Sequence, residues 1–126
     1  MLMSIRNLDV RLGRLDVIRD ASLDVEEGRI TVIVGANGAG KSTLLRTVAG
    51  LNKAARGSIL FRGAEIANLP AHRIAAMGIS MVPEGRHLFR EMTVTENLEM
   101  GGYLCRGKPD AMAANMERVF DLFPVL

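Results

Sequence analysis

The sequence is poor in several residue types, and each shortage excludes a class of protein. It contains no tryptophan, one tyrosine, four phenylalanines, four prolines and a single cysteine, Cys105. One cysteine forms no internal disulfide, and no second ligand follows it at metal-binding spacing, so a disulfide scaffold is excluded. Few aromatic residues and no basic run accompany the net charge of +2, which argues against nucleic acid as a partner.

Long hydrophobic runs are absent as well. The longest, residues 30–34, is far shorter than the roughly 18 apolar residues of a membrane-spanning helix. Charged residues at positions 6, 9 and 11 precede any apolar stretch, which does not fit a signal peptide. With 48% hydrophobic and 24% charged residues over 126 positions, the composition is typical of one folded domain or part of one. We therefore expect a cytoplasmic protein.

Five short segments have the pattern of β-strands. Residues 4–12 and 17–25 alternate loosely between apolar and polar side chains, which predicts an antiparallel pair. Residues 30–34 are almost purely β-branched and are bounded by a glycine, which predicts a strand buried on both faces. Residues 57–61 and 79–82 are two further apolar segments and are predicted as short strands.

Helices are predicted between these strands and after them. Residues 41–50 have apolar side chains at helical spacing and end on a glycine. Proline opens and glycine closes a second segment, residues 70–78. Thr93 and Glu96 form a capping-box pattern before a third helix, and residues 110–123 repeat with a period near 3.6. Strands and helices in this order indicate an α/β fold.

A glycine-rich loop separates the strand predicted at 30–34 from the helix that follows. It matches the pattern G-x-x-x-x-G-K-[ST] with Gly35, Gly40, Lys41 and Ser42. A backbone whose N–H groups surround phosphate oxygens requires glycine at positions where a Cβ would collide with the phosphate. The positive end of the helix dipole attracts the same anion. Lys41 then reaches the β- and γ-phosphates, and the Ser42 hydroxyl is the expected Mg²⁺ ligand. The candidate nucleotide-binding residues are Gly35, Ala36, Asn37, Gly38, Ala39, Gly40, Lys41, Ser42 and Thr43.

The simpler interpretation is a glycine turn that only joins a strand to a helix. The position of the full motif, after a strand and before a helix, favours phosphate binding. Residues 35–45, together with Val82-Pro83-Glu84-Gly85-Arg86 and the Thr-Val-Thr-Glu-Asn-Leu of residues 93–98, resemble ABC-transporter ATPases. Within that family the sequence looks most like the ATP-binding subunit of branched-chain amino acid importers.

The resemblance covers essentially the whole chain and implies a P-loop NTPase core with an antiparallel β subdomain. Residues 1–126 are then the N-terminal part of a single nucleotide-binding domain, with ATP and Mg²⁺ as cofactors. The implied partners are membrane permease subunits and a second ATPase subunit. The implied location is peripheral, on the inner face of the cell membrane.

Four positions take their expected roles from the resemblance or depart from it. The family usually has a metal-contacting glutamine where this chain has Glu84, which is interpreted either as a Mg²⁺ ligand or as a solvated loop acid. Leu12 replaces the aromatic on which adenine usually stacks, so only part of that apolar contact is expected. Leu88 and Phe89 fit either a contact with a permease helix or packing onto the core.

Family members continue with a signature motif, the Walker B strand that ends in Asp-Glu, and a switch histidine. None of these occurs before Leu126. The chain is therefore interpreted as truncated before these motifs, and we expect nucleotide binding without hydrolysis. Two alternatives stay open at this point, namely a small P-loop kinase-like enzyme and a non-functional truncated gene product.

Overall fold

Two units make up the chain, Met1–Val82 and Pro83–Leu126, in a computed structural model that describes all 126 residues. The first unit contains four strands and two helices. The second contains two helices and a short 3₁₀ turn, Tyr103–Cys105. The predicted glycine loop lies in the first unit, and Glu84 lies in the second.

The first unit is built on one antiparallel sheet. Its strands are β1 (Met3–Leu12), β2 (Leu15–Val25), β3 (Ala54–Phe61) and β4 (Ala64–Glu65), in the spatial order β2-β1-β3-β4. The pairs β1–β2, β1–β3 and β3–β4 are all antiparallel, which confirms the predicted antiparallel β subdomain.

Two helices belong to the same unit as the sheet. They are α1 (Lys41–Val48) and α2 (Ala71–Ala76), and each contributes one buried hydrophobic residue, Leu44 and Ile74, to a core otherwise made mainly by β1 and β3. Burying each such side chain contributes about 1.5–3 kcal/mol. The core consists of Ile5, Leu8, Val10, Ile18, Leu44, Ile59, Phe61, Ile66 and Ile74.

The predicted glycine stop of α1 is confirmed. Gly50 has φ 76°, and its N–H donates to the Thr47 carbonyl at 3.0 Å while the Leu51 N–H donates to the Arg46 carbonyl at 2.8 Å. This is a Schellman motif, which satisfies carbonyls that the helix end would otherwise leave unpaired. A Cβ at position 50 would lie 2.9 Å from the Leu69 carbonyl oxygen, so glycine is also required by space.

The second unit contains α3 (Val94–Gly101) and α4 (Pro109–Leu122). The predicted capping box is present: the Thr93 N–H donates to Glu96 Oε2 at 2.7 Å, and the Glu96 N–H donates to Thr93 Oγ1 at 3.2 Å. The predicted last helix is also confirmed. No helix of either unit combines the length and apolarity that crossing a membrane requires.

Two predicted strands are wrong. Residues 30–34 and 79–82 form no strand, and the first segment is exposed, with Ile30 at 94% and Val34 at 86% of full accessibility. A β-branched sequence favours extended backbone, but a strand also needs a hydrogen-bonded neighbour. None of the four strands pairs with either segment. The predicted burial of residues 30–34 on both faces is therefore not found in these 126 residues.

Candidate functional site

The glycine loop leads directly into α1 and turns sharply before it. The Ala39 N–H donates to the Ala36 carbonyl at 3.1 Å, and Gly38 and Gly40 have φ of 85° and 91°, a backbone region that favours glycine. A Cβ added at Gly40 would lie 3.2 Å from Ile18 Cγ1 and 3.2 Å from the Val17 carbonyl oxygen. The end of the loop is therefore packed against β2, and its path depends on glycine.

The first turn of α1 presents its N–H groups outward. Gly40 is the N-cap, no side chain caps the helix, and the first turn contains no acidic residue. The backbone N–H groups of Lys41, Ser42 and Thr43 donate to no group of the chain. Free N–H groups and the positive end of the helix dipole together make this terminus suited to an anion.

Lys41 holds the loop in a closed turn. Its Nζ donates to the carbonyl oxygens of Gly35 and Ala36, at 2.7 Å in each case. One ammonium group thereby joins the beginning of the loop to the start of the helix. Lys41 is also the first residue of α1, so a charged donor and the free N–H groups of the first turn belong to the same loop–helix junction.

The hydroxyl groups after the lysine differ in their contacts. The Ser42 and Thr43 hydroxyls make no hydrogen bond within the chain, and Ser42 is exposed. The buried Thr47 instead donates from Oγ1 to the Thr43 carbonyl at 2.8 Å and so belongs to the helix. The free Ser42 hydroxyl has the oxygen chemistry that a hard cation such as Mg²⁺ takes.

Leu12 lies at the tip of the β1–β2 hairpin. It pairs directly with Leu15 across the two-residue turn Gly13-Arg14, and Gly13 has φ 63°. Leu12 is 45% exposed and Leu15 is 66% exposed. The sequence interpretation missed Leu15. A two-residue turn that contains glycine and has a leucine on each side is a hairpin signal, so the pairing of Leu12 with Leu15 could have been predicted from it.

Glu84 belongs to the second unit, whereas the glycine loop belongs to the first. Glu84 is an exposed residue of the second unit, and its backbone carbonyl accepts a hydrogen bond from His87 Nε2 at 2.8 Å. No group of three or more His, Cys, Asp or Glu side chains capable of holding a metal occurs in the chain. Leu88 and Phe89 are exposed by 67% and 55% rather than packed into the core.

The fold and this loop define a class of nucleotide-binding cassette, and comparisons with known proteins identify the family. The family model described as "ABC transporter" matches residues 18–125. The chain therefore belongs to the ABC transporter family, which confirms the resemblance seen in the sequence and argues against the kinase-like alternative.

Curated relatives point to one branch of the family. The chain is 43% identical over 70 residues to the high-affinity branched-chain amino acid transport ATP-binding protein BraG of Pseudomonas aeruginosa. It is 32% identical over 70 residues to the probable branched-chain amino acid transport ATP-binding protein LivF of Archaeoglobus fulgidus. Each match covers 56% of this chain and 29% of the relative, so the matched region is a minority of each relative's length.

Solved structures agree on the fold. A nucleotide-free ATP-binding cassette of an ABC transporter has a TM-score of 0.73 and 32% identity over 79% of this chain and 40% of its own. The ADP conformation of MJ1267, an ATP-binding cassette of an ABC transporter, has a TM-score of 0.73 and 30% identity over 90% of this chain and 45% of its own. The α/β fold of an ABC-type cassette is therefore confirmed, over less than half the length of these solved chains.

Proposed function

We propose that this chain binds ATP with Mg²⁺ through residues 35–43 and acts as the ATP-binding, energy-coupling subunit of an ABC importer for branched-chain amino acids. The observation that carries the proposal is the closed loop at the uncapped end of α1. There Lys41 Nζ lies 2.7 Å from two loop carbonyl oxygens, and the N–H groups of the first turn of the helix are free. Such a set of donors matches the anionic oxygens of a triphosphate.

The relatives support the choice of transported substrate. BraG and LivF are both described as branched-chain amino acid transport ATP-binding proteins. The fold is also similar to that of a bacterial Atm1-family exporter with ATP bound, with a TM-score of 0.70 and 29% identity over 79% of this chain and 17% of that one. The nucleotide-binding part of the proposal is therefore supported across importers and exporters, whereas the substrate is supported by the importer relatives.

The second unit offers a surface for a permease partner. Leu88, Phe89, Met92, Val94 and Leu98 line an open groove of about 440 Å³. Leu88, Phe89 and Val94 are exposed, and exposed apolar side chains gathered in this way are typical of a protein–protein contact. In the proposed assembly a helix of the membrane permease binds here, and a second ATPase subunit pairs with this one at the inner face of the membrane.

Binding of labelled ATP, with Lys41→Ala as the test variant, checks the nucleotide site. The variant loses a charge-assisted contact of about 1.5–3 kcal/mol, so its affinity should fall by roughly one to two orders of magnitude. Lys53→Ala is the matched control, since Lys53 is an exposed lysine of the same unit beyond the other end of α1. Equal affinity of wild type and Lys41→Ala would mean that this loop does not hold phosphate.

Binding without turnover is expected from residues 1–126. The loop supplies ground-state contacts to phosphate, whereas rate acceleration needs groups that act more strongly on the transition state. The family takes those groups from motifs that this sequence does not contain. Phosphate release should therefore stay at background in wild type, and hydrolysis that disappears in Lys41→Ala would contradict the expectation.

A further inference from the structure

The sequence contains one Asn-Gly pair, Asn37-Gly38, and it lies in the middle of the glycine loop. The Ala39 N–H donates to the Ala36 carbonyl at 3.1 Å, so Asn37 and Gly38 are the central residues of that turn, and both are exposed. The backbone nitrogen that follows an asparagine can attack its side-chain amide carbon, which makes asparagine a thermolabile residue. Glycine favours this attack because it has no Cβ to obstruct the approach.

The two reacting groups of this pair are free. The Asn37 side-chain amide makes no hydrogen bond within the chain, and the Gly38 N–H donates to no group. Gly38 has φ 85°, and a Cβ built there would meet no atom within 4 Å, so the surrounding space is open. The nucleophile and the carbon that it attacks are therefore neighbours in an exposed and unobstructed turn.

The other five asparagines of the chain lack this combination. Each precedes a bulky residue, which is leucine, lysine or methionine. Four of them use the side-chain amide as a hydrogen-bond donor, namely Asn7, Asn68, Asn97 and Asn115. The fifth, Asn52, is half-buried and is followed by Lys53. Asn52 is therefore the internal comparison for Asn37.

We propose that Asn37 is a site of spontaneous deamidation, a modification that places a carboxylate in the glycine loop and weakens nucleotide binding. The Gly38 nitrogen forms a bond to Asn37 Cγ, and the bond from Cγ to the side-chain nitrogen breaks. Ammonia leaves with the Gly38 amide proton, and a succinimide ring remains. Water, the only co-reactant, then opens the ring at either carbonyl and gives aspartate or isoaspartate.

The effect on the site rests on the proposed nucleotide-binding function. The new carboxylate lies in the same loop that Lys41 closes and precedes the uncapped end of α1, whose donors are those proposed for the triphosphate. A carboxylate competes with phosphate for such donors and repels it. Repulsion between two unit charges about 4 Å apart in water corresponds to roughly a fivefold loss of affinity. Isoaspartate also lengthens the backbone of the loop.

Incubation of the 126-residue chain without nucleotide in mildly alkaline buffer, followed by peptide mass spectrometry and enzymatic methylation of isoaspartate, tests the modification. The deamidated fraction at position 37 should exceed that at Asn52 at every time point. Gly38→Ala should slow the reaction, because the added methyl group obstructs the attacking nitrogen. Asn37→Gln should slow it as well, because glutamine must close a larger ring.

Titration of fresh and incubated samples with labelled ATP and Mg²⁺ tests the effect on binding. Affinity of the modified fraction should be lower by at least about fivefold. Incubated Asn37→Gln should keep the affinity that it had when fresh, which separates deamidation at position 37 from general ageing of the sample. Asn37→Asp carries the carboxylate from the start and should bind more weakly than wild type before any incubation.

Deamidation at position 37 that is absent, or no faster than at Asn52, would overturn the proposal. A sample modified at position 37 that binds ATP as tightly as the fresh protein would overturn its effect on the site. Fresh wild type without any Lys41-dependent ATP binding is a different outcome, because it contradicts the proposed function, while the mass measurement still decides whether Asn37 is the site of modification.

Discussion

Gly40 and Ile18 approach so closely that a Cβ at position 40 would lie 3.2 Å from Ile18 Cγ1. Ile18 is buried and has little room to move. Gly40 also has φ 91°, which an L-residue adopts only at a cost of about 1–2 kcal/mol. This contact joins the glycine loop to the sheet, so the geometry of the loop and the stability of the first unit are coupled.

Gly40→Ala should therefore destabilise the first unit more than Gly38→Ala does. Both variants have the conformational cost, because Gly38 has φ 85°, but an added Cβ at position 38 meets no atom within 4 Å. We expect about 1–2 kcal/mol for Gly38→Ala and at least about 1 kcal/mol more for Gly40→Ala, from overpacking against β2. Denaturant unfolding of both variants measures the difference, and equal losses would contradict the packing argument.

Ser42→Ala should weaken ATP binding chiefly when Mg²⁺ is present. The Ser42 hydroxyl makes no hydrogen bond within the chain, so its removal costs little in stability and takes away one proposed metal ligand. Titration with ATP in the presence and in the absence of Mg²⁺ measures this difference. The affinity of the variant for ATP should fall about tenfold when Mg²⁺ is present and should change little without it, by analogy with other metal sites. An equal loss in both conditions would point to phosphate contact instead of metal ligation.

Glu84→Ala separates the two interpretations of Glu84. Alanine supplies no oxygen ligand, so the proposed role predicts a higher Mg²⁺ concentration for half-maximal ATP binding. The matched control is Glu91→Ala, a change at another exposed acid of the second unit. An unchanged Mg²⁺ requirement in Glu84→Ala would leave Glu84 as a solvated loop acid.

The exposed apolar segment at residues 30–34 should cause self-association. Its valine and isoleucine side chains are exposed, and its backbone joins no strand, so a second extended segment can pair with it. Sedimentation of the wild type should show oligomers that grow with concentration, and Val32→Lys should reduce them. Val125→Lys changes a valine that is 93% exposed outside this segment and should not. A monomeric wild type at high concentration would refute this prediction.

The capping box makes the start of α3 sensitive to acid. The backbone N–H and hydroxyl of Thr93 donate to the Glu96 carboxylate and hold the pKa of that carboxyl below its usual value. A lowered folded-state pKa contributes stability above the unfolded-state pKa, which is lost as the pH falls through the lowered value. The protection of amides at the start of α3 against hydrogen exchange, taken relative to an unstructured chain at the same pH, should therefore fall below about pH 4.

Glu96→Gln is the control for this pH dependence. The amide oxygen still accepts from the Thr93 N–H but does not titrate, so in this variant the protection of the same amides should change less between pH 6 and pH 3, about the range in which carboxyl groups titrate. Asp9 is a second carboxyl with a lowered pKa, through the Asp20 N–H and Arg56, but it belongs to the first unit and is unchanged in this variant. Identical profiles for wild type and variant would show that Glu96 is not the source.

Sequence patterns predicted the local features of this chain well. The capping box at Thr93 and Glu96, the glycine stop at Gly50 and the antiparallel pair β1–β2 are all present. Each depends on residues close together in the chain, whose side-chain chemistry and backbone preferences act over a few positions. The motif from Gly35 to Ser42 could be recognised for the same reason, because its glycines and lysine follow one another without interruption.

Contacts between distant residues were decided only by the tertiary structure. The sequence predicted a strand at residues 30–34 from β-branched side chains, but a strand forms only where another extended segment pairs with it, and none does. The approach of Gly40 to Ile18 likewise joins elements that the sequence separates. Composition and local spacing therefore determined which loop is the candidate for phosphate binding, whereas pairing and packing decided which apolar segments are buried, because burial requires a partner from elsewhere in the fold.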